Sequence, residues 1–216
     1  ALVEERGEQD WASEFGRMPR LFKQHEEIPG LTRPSITFSN SYAIDLGGDR
    51  GRVDLQFCGR GHTEGDIVVW HEKTGTLFAG DLVEAQAALY TGDAFHFDWA
   101  TGTLDKVKAY NAEHLIGGRG AVAHGRAAVD AAVEQTREFL NGMIEHVGAA
   151  HKNGGTLKDA FEATHTALGP KFGHWPIFEH CLPFNVQRLW DEFDGIERPR
   201  IWTMERDREV WAQLQG

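Results

Sequence analysis

Cysteine, basic charge and long apolar runs are all scarce in this chain. Its 216 residues include two cysteines, Cys58 and Cys181, so neither a disulfide scaffold nor a cysteine-rich zinc site can be assembled, and a single bridge is the most that is available. Lysine and arginine number 22 against 33 aspartate and glutamate, a net charge of −11. That excess repels phosphate backbones and anionic headgroups, which argues against nucleic-acid or membrane-surface partners. The apolar stretches are short and broken by charge, as in Asp66–Ile67–Val68–Val69–Trp70–His71, whereas a membrane-spanning helix needs about 20 apolar residues. A soluble protein is expected. The N-terminus has no secretory signal, because Ala1–Leu2–Val3 runs straight into Glu4–Glu5–Arg6. Localisation stays open, with the cytoplasm slightly favoured.

What is present is apolar side chains, 41% of the total, and eleven histidines. A chain of this length buries a core in one domain, with at most a small appendage. Residues 1–28 carry Trp11, Phe15, Met18 and Leu21–Phe22 at helical spacing until Ile28–Pro29–Gly30, which predicts an amphipathic helix. Extended structure follows. Ile36–Phe38, Tyr42–Leu46, Arg52–Phe57, Asp66–Trp70 and Thr76–Ala79 alternate apolar with polar residues or form short apolar runs between turn-forming glycines, the pattern of a β-meander. A helix over about 103–111, a short strand His114–Ile116 and a long helix from Arg126 convert the meander to α/β alternation. The long helix places Val129, Val133, Thr136, Leu140, Met143 and Val147 on one stripe. Thr156 with Asp159 then predicts a capped helix ending near Gly169–Pro170. The reading divides the chain into a main domain over 1–170 and an aromatic helical extension over 171–216.

Chemistry concentrates in Gly61–His62–Thr63–Glu64–Gly65–Asp66, followed by a strand, a hairpin, a second strand and then Gly80–Asp81. A histidine in a glycine-flanked loop before one strand and an aspartate after its hairpin partner can converge on one point, as an imidazole and carboxylate metal site requires. Their side chains are expected to share one cleft at the rim of the sheet. The connector 86–99 is long and aromatic, and Tyr90, His96 and Trp99 within it are candidate substrate contacts.

These elements resemble the metallo-β-lactamase superfamily, through its G-H-T-x-G-[DS] loop and its L-F-x-G-D element, over roughly residues 35–150. The resemblance implies an αββα sandwich, an α/β fold with a hydrolytic zinc site of one or two ions at one edge. It puts a ligand of the first metal at His62 and a bridging or second-metal ligand at Asp81, the catalytic candidate. Aspartate where the true zinc β-lactamases have cysteine points toward the glyoxalase II-like and lactonase-like branches. Two departures stand out. The family's H-x-H-x-D-H motif is missing from residues 1–61, where the one histidine is His25, so the chain reads as the C-terminal part of the domain. The family's last metal histidine falls in Gly117–Gly118–Arg119–Gly120, where Arg119 stands in its place; a guanidinium cannot ligate metal, but it can hold Asp81 or an anionic substrate group. His124 is the alternative ligand.

The resulting expectation is a hydrolase of a small-molecule ester, thioester, lactone or amide using metal-activated water. The alternative is a non-catalytic or partner-dependent subunit with a degenerate metal site. This chain alone should hold metal weakly or not at all. An apolar sheet face should be left uncovered, to be met by a second copy in a homo-oligomer or by a missing N-terminal segment, with the aromatic stretch 172–202 contributing.

Overall fold

A computed structural model describes residues 2–19, 27 and 30–216. It is a mixed α/β structure with one six-stranded sheet. The strands are β1 (Ser41–Asp45), β2 (Arg52–Phe57), β3 (Ile67–His71), β4 (Thr76–Gly80), β5 (His114–Gly117) and β6 (Ala123–His124). They lie in sequence order, and every neighbouring pair is antiparallel except β4 with β5. That parallel pair needs a crossover, which runs through α2 (His96–Asp98), a π-turn at Trp99–Thr103 and α3 (Leu104–Lys108). The expected strand at Ile36–Phe38 does not form. Ile36 is exposed, and Phe38 instead stacks on Tyr42 with ring centroids 6.0 Å apart.

The chain divides into two compact units, one made of residues 1–37 with 200–216 and the other of residues 38–199. In the first, α1 (Leu2–Arg17) and α7 (Met204–Gln215) are joined by Arg17 Nε donating to Asp207 Oδ2 at 2.9 Å and by the Ser13 hydroxyl donating to the Trp202 carbonyl. The helix expected over residues 1–28 ends at Arg17, and its predicted positions Leu21, Phe22, Ile28 and Pro29 lie outside the described residues. The stretch 171–216 is thereby divided between the two units.

In the second unit, α4 (Arg126–Lys152) packs against β5 and β6, on one face of the sheet. That face carries Val68, Leu77, Ala79, Leu115 and Ala123, all buried. The expected stripe of α4 is buried from Val129 to Val147. Behind it, α5 (Leu157–Phe172) and α6 (Phe178–Phe193) close a three-helix layer around Phe139, whose ring meets Phe172 at 5.3 Å and Phe178 at 6.3 Å. Truncating so buried an aromatic ring costs about 3–5 kcal/mol. Pro170 does not stop α5, which runs on to Phe172. Burial of Phe172 supports the extra turn, and Gly173 N closes it on the Gly169 carbonyl at 2.9 Å. Of the aromatic stretch expected to contribute to an external contact, Phe172, Trp175 and Phe178 are buried, whereas Phe184, Trp190 and Phe193 are half-buried.

The opposite face of the sheet presents Tyr42, Ile44, Leu55, Ile67, Val69, Phe78 and Ile116 in register across the strands. Tyr42, Ile44, Ile67 and Phe78 are 38–42% exposed. Alternation of period two explains this two-sided character: β1 and β2 send their apolar positions to this face, away from the helices.

Candidate metal and carboxylate site

The loop before β3 is built around Asp66. Its carboxylate accepts hydrogen bonds from Thr63 N and Thr63 Oγ1, both at 2.7 Å, and Gly61 N donates to the Thr63 carbonyl at 2.9 Å. These bonds fold the loop so that His62 projects from its tip. Glycine at position 61 lets the loop seat closely, because a Cβ there would meet the Leu82 side chain at 2.5 Å and force it to shift. Burial pushes the Asp66 carboxyl above its ordinary range, the Thr63 hydrogen bonds and His62 oppose that, and Asp81 adds to it.

Asp81 follows β4, where Gly80 takes a positive φ of 54°. The expected convergence is present: His62 Nε2 and Asp81 Oδ2 lie 3.5 Å apart. That Nε2 is buried and has no hydrogen-bond partner among the described residues. Trp99, fully buried with its indole N–H on the Leu82 carbonyl at 3.1 Å, sets its ring edge-on to His62 at 6.1 Å. It is a backing for the imidazole, and its burial takes it out of reach of a substrate. Tyr90 flanks the other side, 6.2 Å from His62 between ring centroids and half-buried.

Arg119 comes to the same point from the loop after β5. Its Nη2 is 3.5 Å from Asp81 Oδ2 and 2.7 Å from Glu84 Oε1, while Nε donates to Glu84 Oε2 at 3.0 Å. The glycines around it allow the close seating: a Cβ on Gly118 would fall within the Asp81 carboxylate, and one on Gly117 or Gly120 would strike the Val83 or Ala85 carbonyl. Glu84 is the residue that the sequence reading missed. It is buried, burial raises its carboxyl to about 8 against the pull of Arg119, and Asp81 pushes it up further. An acidic residue between Val83 and Ala85 in an otherwise apolar run was the available signal. Cys181 on α6 feels the same charges, and burial lifts its thiol to about 11.

Two expected residues are placed elsewhere. His124 pairs with His114 across β5 and β6, at the end of β5 that lies beside Thr76, whereas Gly117 beside Gly80 marks the Asp81 end. Three strand residues, roughly 10 Å, separate those ends. His96 is fully buried; its Nδ1 lies 2.5 Å from Glu192 Oε2 and its Nε2 2.8 Å from Thr91 Oγ1, so neither nitrogen is left for a substrate. Its bonds belong to a stripe on α6 that orders the connector. Asn185 accepts from Thr91 N and donates to the Leu89 carbonyl, Arg188 donates to the Ala94 carbonyl, and Glu192 accepts from His96 N. Spacings of three and four residues put all three on one helical face.

A zinc ion held at about 2.0–2.2 Å by nitrogen and oxygen in tetrahedral geometry needs those atoms roughly 3.3–3.6 Å apart. The His62 and Asp81 atoms meet that spacing, and the unpartnered Nε2 fits a ligand role. A third donor does not: among the described residues no group of three His, Cys, Asp or Glu side chains is placed to hold a metal, and the third neighbour of Asp81 is a guanidinium. Among the described residues the arrangement fits two ligands and not a complete centre.

No protein-family model matches the chain, and no curated protein matches it. Among solved structures it is similar to a metallo-beta-lactamase from Pontibacter korlensis at 21% identity and a TM-score of 0.44, covering 56% of this chain and 54% of that one. It is also similar to TMB-1, at 19% identity and 0.43 over 56% and 52%, and to VMB-1, at 26% identity and 0.41 over 56% and 52%. The chain spans about half the length of these structures. Among the described residues no helix is long and apolar enough to cross a membrane.

Proposed function

We propose that this chain supplies one half of a metal-dependent hydrolase of the glyoxalase II-like or lactonase-like kind, acting on an ester, thioester, lactone or amide of a small molecule. The observation that carries the reading is the convergence of a buried, unpartnered His62 Nε2 on Asp81 Oδ2 at 3.5 Å. His62 and Asp81 would hold a zinc ion, with the remaining ligands supplied by residues outside the described set. Such an ion lowers the pKa of its bound water toward about 7 and polarises a carbonyl. The Thr63 and Asp66 bonds fix the His62 loop, Arg119 fixes the Asp81 carboxylate, and Tyr90 with Trp99 walls the imidazole. The exposed apolar face of the sheet suits a second layer packed across it, as a sandwich requires.

The second reading, a non-catalytic or partner-dependent subunit with a degenerate site, is favoured by one contact. A permanent cation 3.5 Å from Asp81 Oδ2 competes with a metal for that carboxylate. Elemental analysis and hydrolysis assays separate the two. A longer form carrying an upstream H-x-H-x-D-H segment is expected to hold zinc and to turn over a thioester or lactone, and His62→Ala or Asp81→Ala to abolish both. A longer form that holds no zinc and hydrolyses nothing would establish the degenerate site, and hydrolysis that survives both substitutions would remove His62 and Asp81 from the reaction.

A further inference from the structure

A second pair of nitrogen donors lies away from this site. His114 opens β5 and His124 closes β6, and the antiparallel register sets them directly opposite each other. Directly opposed residues share a face, and here the rings meet: His124 Nδ1 is 3.1 Å from His114 Nδ1, with ring centroids 5.2 Å apart and planes at 72°. Other imidazoles of the chain meet oxygen instead. His71 faces Thr74 Oγ1 and the Arg50 carbonyl, His96 faces Glu192 and Thr91, and His165 faces Glu179. Two neutral rings placed nitrogen to nitrogen can share a single proton, leaving one lone pair to accept it. An ion between them engages both lone pairs.

The spacing suits an ion. Two nitrogens bound at about 2.0–2.1 Å stand roughly 2.8–3.4 Å apart for angles between a square-planar and a tetrahedral corner, and the observed 3.1 Å lies in that window. The backbone fixes the register that sets the two residues opposite each other: Gly125 N donates to the Glu113 carbonyl at 2.7 Å, and the helix α4 begins at Arg126 shortly after β6. His124 is exposed and His114 half-buried, so solvent can fill the remaining coordination positions.

We infer that His114 and His124 form a two-imidazole site for a divalent transition-metal ion, copper(II) ahead of nickel(II) and zinc(II), with magnesium and calcium rejected for want of oxygen ligands. The site is independent of His62 and Asp81. Its test is a copper(II) chloride titration of the chelator-stripped chain, followed by calorimetry and electron paramagnetic resonance. The first equivalent is expected to carry hyperfine coupling to two imidazole nitrogens, to vanish in both His114→Ala and His124→Ala, and to persist in His62→Ala; magnesium chloride is expected to give no binding heat. Circular dichroism identifies the folded variants, and His124→Gln serves as the isosteric second variant. An unchanged first equivalent in folded His124→Ala or His124→Gln, or coupling to a single nitrogen, would overturn the inference.

Discussion

The buried Glu84 carboxyl makes stability depend on pH in a direction opposite to the ordinary surface carboxylate. Its pKa is raised from 4.5 to about 8 by burial, which outweighs the hydrogen bond and charge of Arg119. The folded state therefore holds the proton more tightly than the unfolded chain, so the contribution is fully present below pH 4.5 and is lost as pH rises through 8. At 1.36 kcal/mol per pH unit, about 3 kcal/mol is lost by pH 7 and about 4 kcal/mol by pH 8. Glu84→Gln removes the titration and keeps the shape. The amide oxygen can still accept from Arg119 Nε, but the amide nitrogen in place of Oε1, 2.7 Å from Arg119 Nη2, has no lone pair for that contact, which a protonated Glu84 keeps, so the variant carries a constant cost that does not depend on pH. Arg119 is partly exposed and keeps water around its charge when the anion is gone. Relative to the parent, the variant should gain about 3.5 kcal/mol between pH 5 and pH 8, a relative rise in melting temperature of roughly 7–14 °C for a chain of this size. Thermal and urea unfolding followed by circular dichroism at pH 5, 6, 7 and 8, with EDTA to keep metal off Asp81, gives the two curves. Parallel pH profiles for parent and variant would refute the buried, proton-holding Glu84.

Further substitutions test the supports of the site. Gly118→Ala forces a methyl group into the Asp81 carboxylate, and denaturant unfolding should register a loss of about 1–3 kcal/mol, with zinc retention by the longer form reduced as Asp81 is displaced from His62. Trp99→Phe deprives the buried Leu82 carbonyl of its donor, an orphaned group costing about 1–3 kcal/mol by the same measurement. Asn185→Ala releases both Thr91 N and the Leu89 carbonyl; limited proteolysis should then cut first within residues 86–95, and an uncut connector would show that α6 does not order it. Thr156→Ala breaks the capping box with Asp159 and should lower the melting temperature in line with about 1 kcal/mol, leaving Glu84 titration unchanged.

Local chemistry was enough to foresee several elements. The strands β1 to β4, the α4 stripe and the capping box at Thr156 each rest on spacings of two, 3.6 or three residues, which act within one segment and need no partner. The approach of His62 to Asp81 was legible for a related reason: a hairpin joins the two strands, so the ends that carry these residues are neighbours wherever the sheet sits. Periodicity misread Ile36–Phe38, which alternates correctly but pairs with no strand among the described residues, and Pro170, whose breaking tendency is overridden by the burial of Phe172.

By itself, then, the sequence determined the elements, the His62 loop and the two donors that a hairpin brings together. Tertiary structure alone decided which long-range neighbours those donors meet. The parallel crossover from β4 to β5 delivers Arg119, and not His124, to Asp81, because register fixes which end of β5 lies beside Gly80. The α6 stripe claims His96 for packing from nearly a hundred residues away. Burial of Glu84 is likewise a property of the assembled layers. Desolvation and ion pairing depend on groups distant in sequence and close in space, and a single side chain carries no record of them until the chain has folded.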